Sequence, residues 1–176
     1  MDENGKQPVP DFLSIATGLK NDMVRYAAVT GLNFFIDSFN KQGFTDTSFE
    51  PWSKRNPDTR PGGSLLVKSA NLRNSLKVFE KSVEKIVFGT NSIYAKIHNE
   101  GGTINMTLTP KARKFFWFMY YATNDNRYKW MALSKKEHLS IKIPKRQFIG
   151  ESATLMATLQ TWTKNEIENR FKNIKQ

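Results

Sequence analysis

Tyr94-Ala95-Lys96-Ile97-His98-Asn99-Glu100-Gly101-Gly102-Thr103-Ile104 and Ile143-Pro144-Lys145-Arg146-Gln147-Phe148-Ile149-Gly150 are the stretches whose reading decides the fold. Each mixes strand-type apolar residues with glycine or proline at points where the backbone must turn, so each reads as a fixed corner of a small fold. Residues 94–98 and 103–108 are predicted as strands flanking the glycine pair, with Gly101 or Gly102 at positive φ where the chain reverses. Leu139-Ser140-Ile141-Lys142-Ile143 alternates cleanly and reads as a strand ended by Pro144. Phe148 and Ile149 then return to the core.

Upstream, Met23, Ala27, Thr30, Phe34, Phe35 and Phe39 recur at helical spacing, which predicts a long amphipathic helix over about 22–40 with Gly43 as its stop. Gly31 inside it points to close packing against a neighbour. Residues 43–64 carry Pro51, Pro57, Pro61, Gly62 and Gly63 and no apolar period, so they read as a long surface loop. Its Trp52 either anchors the loop to the body or is an exposed contact, and the anchor is favoured because a lone Trp usually buries its ring. A short helix is expected within 65–76, then a β-hairpin from 76–80 and 84–89. Thr109-Pro110 reads as an N-cap followed by proline at the first helical position, which predicts a helix over 110–122 with a strand as the alternative. Ser152 caps a final helix whose stripe is Leu155, Leu159, Trp162, Ile167, Phe171 and Ile174, with Trp162 expected against the sheet. The order implies an α+β domain: a small, mostly antiparallel sheet, long N- and C-terminal helices packed on one face, and a helical aromatic insertion. Residues 1–20 read as a flexible lead-in and 21–176 as one domain.

With 176 residues, 39% of them apolar, the chain suffices for one core. It has no cysteine, which excludes disulfides, thiolate nucleophiles and Cys-ligated zinc. The polar start lacks signal-peptide character and no apolar run approaches the ~20 residues of a membrane span, so a soluble protein without membrane contact is expected. The net charge is +11, and the segment 109–147 alone supplies +8 of it. That cluster suits an anionic partner, either nucleic acid or an acidic protein surface, although a solvated basic face is the commoner meaning.

Five pieces in order resemble the bacteriophage virion morphogenesis and tail completion proteins, the group that includes the Mu G-like proteins. They are Trp52 after the first helix, Leu72-Arg73-Asn74-Ser75, Val87-Phe88-Gly89-Thr90, the segment 94–102, and the segment 143–150, together covering about 22–174. The chain departs from the pattern at Ser69-Ala70, where the family usually has Thr-Gly, and at Gln147, where it usually has proline. The resemblance implies a minor structural protein of a phage or prophage that acts in tail completion or head-tail joining. It implies a ring-forming homo-oligomer that meets tail tube, tail terminator or head-tail connector proteins. Such a protein is assembled in the host bacterial cytoplasm and ends in the virion, where contact with packaged DNA is a further expectation. The alternative function is a small basic nucleic-acid-binding protein.

His98-Asn99-Glu100 has the His-x-Glu pattern of zinc deaminases, but the cysteine pair is missing and His138 is the one other imidazole. A hydrolase using His98 and Glu100 is therefore the weakest reading. No enzyme activity, cofactor or metal is expected. His98 and Tyr94 instead read as structural, on one side of the segment entering the glycine turn and hydrogen-bonded to backbone. The structural set is thus Tyr94, His98, Gly101, Gly102, Pro144, Arg146 and Phe148. Arg146 has two open readings: an exposed side chain, or one bound to several carbonyls or to a carboxylate such as Glu100. The run Phe115-Phe116-Trp117-Phe118 and its continuation to Tyr121 has apolar groups all round a helix. Either it is fully buried in the monomer, or together with Lys135 and Lys136 it forms a subunit interface.

Overall fold

A computed structural model of the protein describes residues 11–172 other than 57 and 59. The first helix, α1, runs Phe12–Lys41, ten residues longer at its start than the apolar period predicts. Asp11 begins it, its side chain accepting from the Ser14 amide at 3.1 Å. The early turns project from the body, with Leu13 78% exposed, which is why no apolar stripe marks them. Residues 12–20 of the expected lead-in are therefore helical, while 1–10 lie outside the described residues. Ala28, Gly31, Phe35, Ser38 and Phe39 form the buried side of α1. Gly31 is there for close approach: a Cβ on it would sit 2.4 Å from Cζ of Phe88. Gln42, in the left-handed region at φ 60°, closes the helix one residue before the expected Gly43.

The expected loop over 43–64 begins with a hairpin, β1 (Gly43–Thr45) against β2 (Phe49–Pro51). Three-residue strands are too short to show a period. Trp52 then turns inward and is buried, as the anchor reading expects, while Pro57 lies outside the described residues. The expected helix over 65–76 shrinks to one turn, α2 (Asn71–Asn74), because Leu66 at φ 58° and Ala70 at φ 55° are left-handed and cannot continue a right-handed helix. The next hairpin is β3 (Leu76–Lys81) with β4 (Ile86–Thr90), as predicted. The Ser75 and Thr90 hydroxyls meet at 2.5 Å at its base, tying two of the family-like pieces together.

Residues 95–100 are a helix, α3 (Ala95–Glu100), and not a strand. A turn from Ser92 O to Ala95 N starts it, and Ala95 and Lys96 are good helix formers, so two apolar residues at alternating spacing mislead there. Strand β5 (Gly102–Thr107) pairs antiparallel with β6 (His138–Ile143), Gly102 opposite Ile143 and Thr107 opposite His138. The ribbon carries α4 (Pro110–Thr123) and α5 (Asn126–Leu133) beyond its far end. Thr109 caps α4 as predicted, accepting from Ala112 N at 3.1 Å. Arg113 binds the α5 end by donating to the carbonyls of Ala132 (3.0 Å), Ser134 and Lys136 (3.1 Å).

The final helix, α6 (Ala153–Lys172), starts at Ser152, whose hydroxyl accepts from Leu155 N at 3.1 Å. Trp162 does not lie on a sheet. It stacks on Tyr26 of α1, with ring centroids 4.2 Å apart and planes 8° apart, because α6 packs along α1. Ile174 of the expected stripe lies outside the described residues. The class is α+β with long helices at both ends, and the strands form three separate antiparallel pairs, not one sheet. α1 supports the first two pairs, touching β1, β3 and β4, and also α6. The main core gathers Phe35, Phe39, Phe44, Trp52, Leu72, Leu76, Phe148 and Leu155, and a satellite core in the arm holds Leu108, Phe116 and Ala132.

Ala70 stands where the resemblance leads one to expect glycine, and its left-handed backbone explains that preference. An alanine there bears a penalty of about 1–2 kcal/mol, partly offset by its smaller loss of chain entropy on folding. Ala70→Gly should therefore stabilise the protein by roughly 0.5–1 kcal/mol, read as a higher urea midpoint at unchanged slope. An unchanged or lower midpoint would contradict the strained turn.

Candidate functional site

Both family-like corners meet at one junction. Helix α3 ends at Gly101, whose φ of 74° swings the chain into β5. A Cβ at Gly101 would lie 2.7 Å from the Lys145 amide nitrogen, so glycine is demanded by conformation and by space together. The Asn99 side chain accepts from the amides of Phe148 (2.9 Å) and Ile149 (3.1 Å). The Arg146 amide donates to the His98 carbonyl at 2.8 Å. Trp52 joins from the other side, its indole N–H donating to the Gln147 carbonyl at 2.6 Å. Pro144 ends β6 as predicted, and Phe148 is 0% exposed against Phe39, centroids 5.1 Å apart.

Arg146 takes neither its exposed reading nor Glu100 as a partner. It is 8% exposed, and its Nε donates to the Ser53 carbonyl at 3.0 Å. Burial, and secondarily the charge of Arg55, weaken its hold on its proton. Two clefts open on either side. One, of about 570 Å³, is lined by Arg55, Arg60, Lys68, Tyr94, His98 and Arg146 among others. The other, of about 440 Å³, is lined by Ser53, Lys54, Arg55, Arg127, Lys142 and Arg146 among others. No Asp or Glu lines either cleft among the described residues.

Tyr94 and His98 share one side of the chain, as expected, but not the expected backbone bonds. Tyr94 is 62% exposed, and the buried Nδ1 of His98 has no partner among the described residues. Desolvation first, and the Arg146 charge second, push the His98 imidazole below its ordinary value. The hydrolase reading gains no second imidazole beside His98. His138 sits five ribbon positions from the junction, about 17 Å at ~3.4 Å per residue, so the two imidazoles cannot share a metal. Among the described residues no cluster of three metal-ligating side chains occurs.

The aromatic run is not fully buried in the monomer. Phe116 is buried in the satellite core and Trp117 is half-buried against it. Phe115, Phe118 and Tyr121 are exposed, as is Trp130 on α5, and Lys135 and Lys136 are exposed beyond it. Sequence reading missed Asn99, Ser53 and Arg55. An Asn just before a glycine pair is a turn signal that favours local bonding, but nothing local shows that its partners lie 49 and 50 residues away.

The unfolded chain protonates His98 near its ordinary 6.5, whereas the folded ring does so only at lower pH. As pH falls below about 6.5 the unfolded state therefore binds more protons, and stability should drop until the folded ring also protonates. Urea midpoints taken from pH ~7.5 to ~5 should show this decline, and His98→Gln should remove the part due to this ring. Equal pH slopes for the two proteins would contradict it.

A model of the phage virion morphogenesis family matches residues 21–168. No curated protein and no solved structure matches the chain significantly. Since the match takes in both corners and most of the chain, the protein belongs to the phage virion morphogenesis family.

Proposed function

We propose that this virion morphogenesis protein completes the phage tail or joins it to the head, as a subunit of a ring that binds copies of itself and neighbouring virion proteins and catalyses no reaction. One observation carries the reading: the arm formed by β5, α4, α5 and β6 presents aromatic side chains that its own core does not use. Phe118, Tyr121 and Trp130 are 66%, 78% and 68% exposed, although Phe116 of the same helix is buried. Burying such rings between subunits supplies attraction, and the basic residues around them select and orient an acidic neighbour. Membership in the family supports a place among virion proteins. No helix among the described residues is long and apolar enough to cross a membrane.

Phe118→Ser with Tyr121→Ser should lower self-association or the joining of heads to tails while shifting the urea midpoint little, since neither ring belongs to a core. Lys135→Glu with Lys136→Glu should weaken partner binding and leave folding intact. Phage carrying either double variant should yield fewer infectious particles in a complementation assay. Normal yields from both, with normal association of the purified proteins, would remove the arm from the interface.

A further inference from the structure

We propose that the two clefts flanking Arg146 form a receptor for a carboxylate, an Asp or Glu side chain presented by a neighbouring protein subunit. The guanidinium has five N–H donors. Among the described residues its hydrogen bond is the single one from Nε to the Ser53 carbonyl. The residue is nevertheless only 8% exposed, and the charged side chains that line the two clefts with it are Arg and Lys. Burying a guanidinium without an anion is unfavourable, and the fork of its remaining donors matches a carboxylate edge.

A second unsatisfied group lines the larger cleft. The buried Nδ1 of His98 has no partner among the described residues, and in the tautomer protonated there it can donate to the same anion. The charges around the clefts point the same way. Arg55 is held by the carbonyls of Gly63 (2.7 Å) and Ser64 (2.6 Å), with Asp58 at 3.7 Å, while the exposed Arg60 and Lys68 sit at the cleft wall. A cationic mouth over a buried guanidinium draws an acidic group in and orients it.

Depth favours a carboxylate over a nucleic-acid phosphate. A phosphodiester is flanked by sugars on both sides and does not readily bring its oxygens to a residue left only 8% exposed at the base of the clefts. A Glu or Asp side chain is slim and ends in its charge. The source of the carboxylate, a neighbouring subunit, rests on the assembly role proposed above; the anion site itself does not.

The test is a titration of the full-length, ¹⁵N-labelled protein at low salt with three probes: a hexaglutamate peptide, inorganic phosphate and a short DNA duplex. Hexaglutamate should shift the Arg146 Nε–Hε signal and the His98 ring signals. The Arg113 Nε–Hε signal should stay in place, since that guanidinium is already engaged by three carbonyls. Arg60→Gln with Lys68→Gln changes only exposed side chains and should raise the half-saturating peptide concentration by about fivefold or more. Arg146→Gln should abolish the His98 shift; if that variant does not fold, the double variant supplies the same reading. A phosphate shift at Arg146 weaker than that of the peptide also supports a carboxylate receptor. An unmoved Arg146 signal at millimolar peptide would overturn the proposal, and so would a DNA duplex that moves it at lower concentration than the peptide. The titration reads the site wherever the protein sits in the particle, so its failure is distinct from a failure of the complementation assay.

Discussion

One amide side chain ties the two corner segments, 94–104 and 143–150, to each other. Asn99 Oδ1 accepts from two consecutive backbone N–H groups, those of Phe148 and Ile149, and thereby fixes the turn that seats the Phe148 ring in the core. Burying that ring is worth about 1.5–3 kcal/mol, and it is gained only if the chain after β6 arrives in this position. The Arg146 amide on the His98 carbonyl and the Trp52 indole on the Gln147 carbonyl secure the same turn from two further directions. Gly101 permits it, because any larger residue would push against the backbone of Lys145.

The arm depends on that junction. Its chain leaves at Gly102 and returns at Ile143, and these two residues face each other across the ribbon. The arm has a small core of its own and leaves aromatic rings outside it. The body therefore presents a separately packed unit from a rigid corner, and beside that corner lies a buried, carboxylate-free guanidinium. Under the proposed assembly role, apolar contact through the arm supplies attraction, and a charged contact at Arg146 would set orientation.

Much of this was legible in the residues themselves. The hairpin β3–β4, the Thr109-Pro110 start of α4, the Ser152 start of α6, the inward Trp52 and the close approach at Gly31 all follow from local chemistry acting over a few positions. What escaped was decided at a distance. Residues 95–100 hold too few side chains for periodicity to separate a helical turn from a strand, and the turn at Ser92 together with the Gly101 stop settles it. Trp162 is apolar enough for either a sheet or a helix, and α1 offered Tyr26. Arg146 finds its carbonyl 93 residues away on Ser53. The difference between Phe116 inside and Phe118 outside is a rotation about α4 that only its packing against Leu108 and Ala132 defines.

The central claim is that Asn99 holds the corner, and its direct measurement is amide hydrogen exchange at Phe148 and Ile149 in Asn99→Ala and Asn99→Asp, with urea denaturation alongside. Removing the acceptor leaves two N–H groups unpaired, so Asn99→Ala should cost about 2–4 kcal/mol and deprotect both amides. Asn99→Asp keeps an acceptor oxygen and should retain most of the protection. Both amides still protected in Asn99→Ala, with stability within about 0.5 kcal/mol of the parent, would contradict the account.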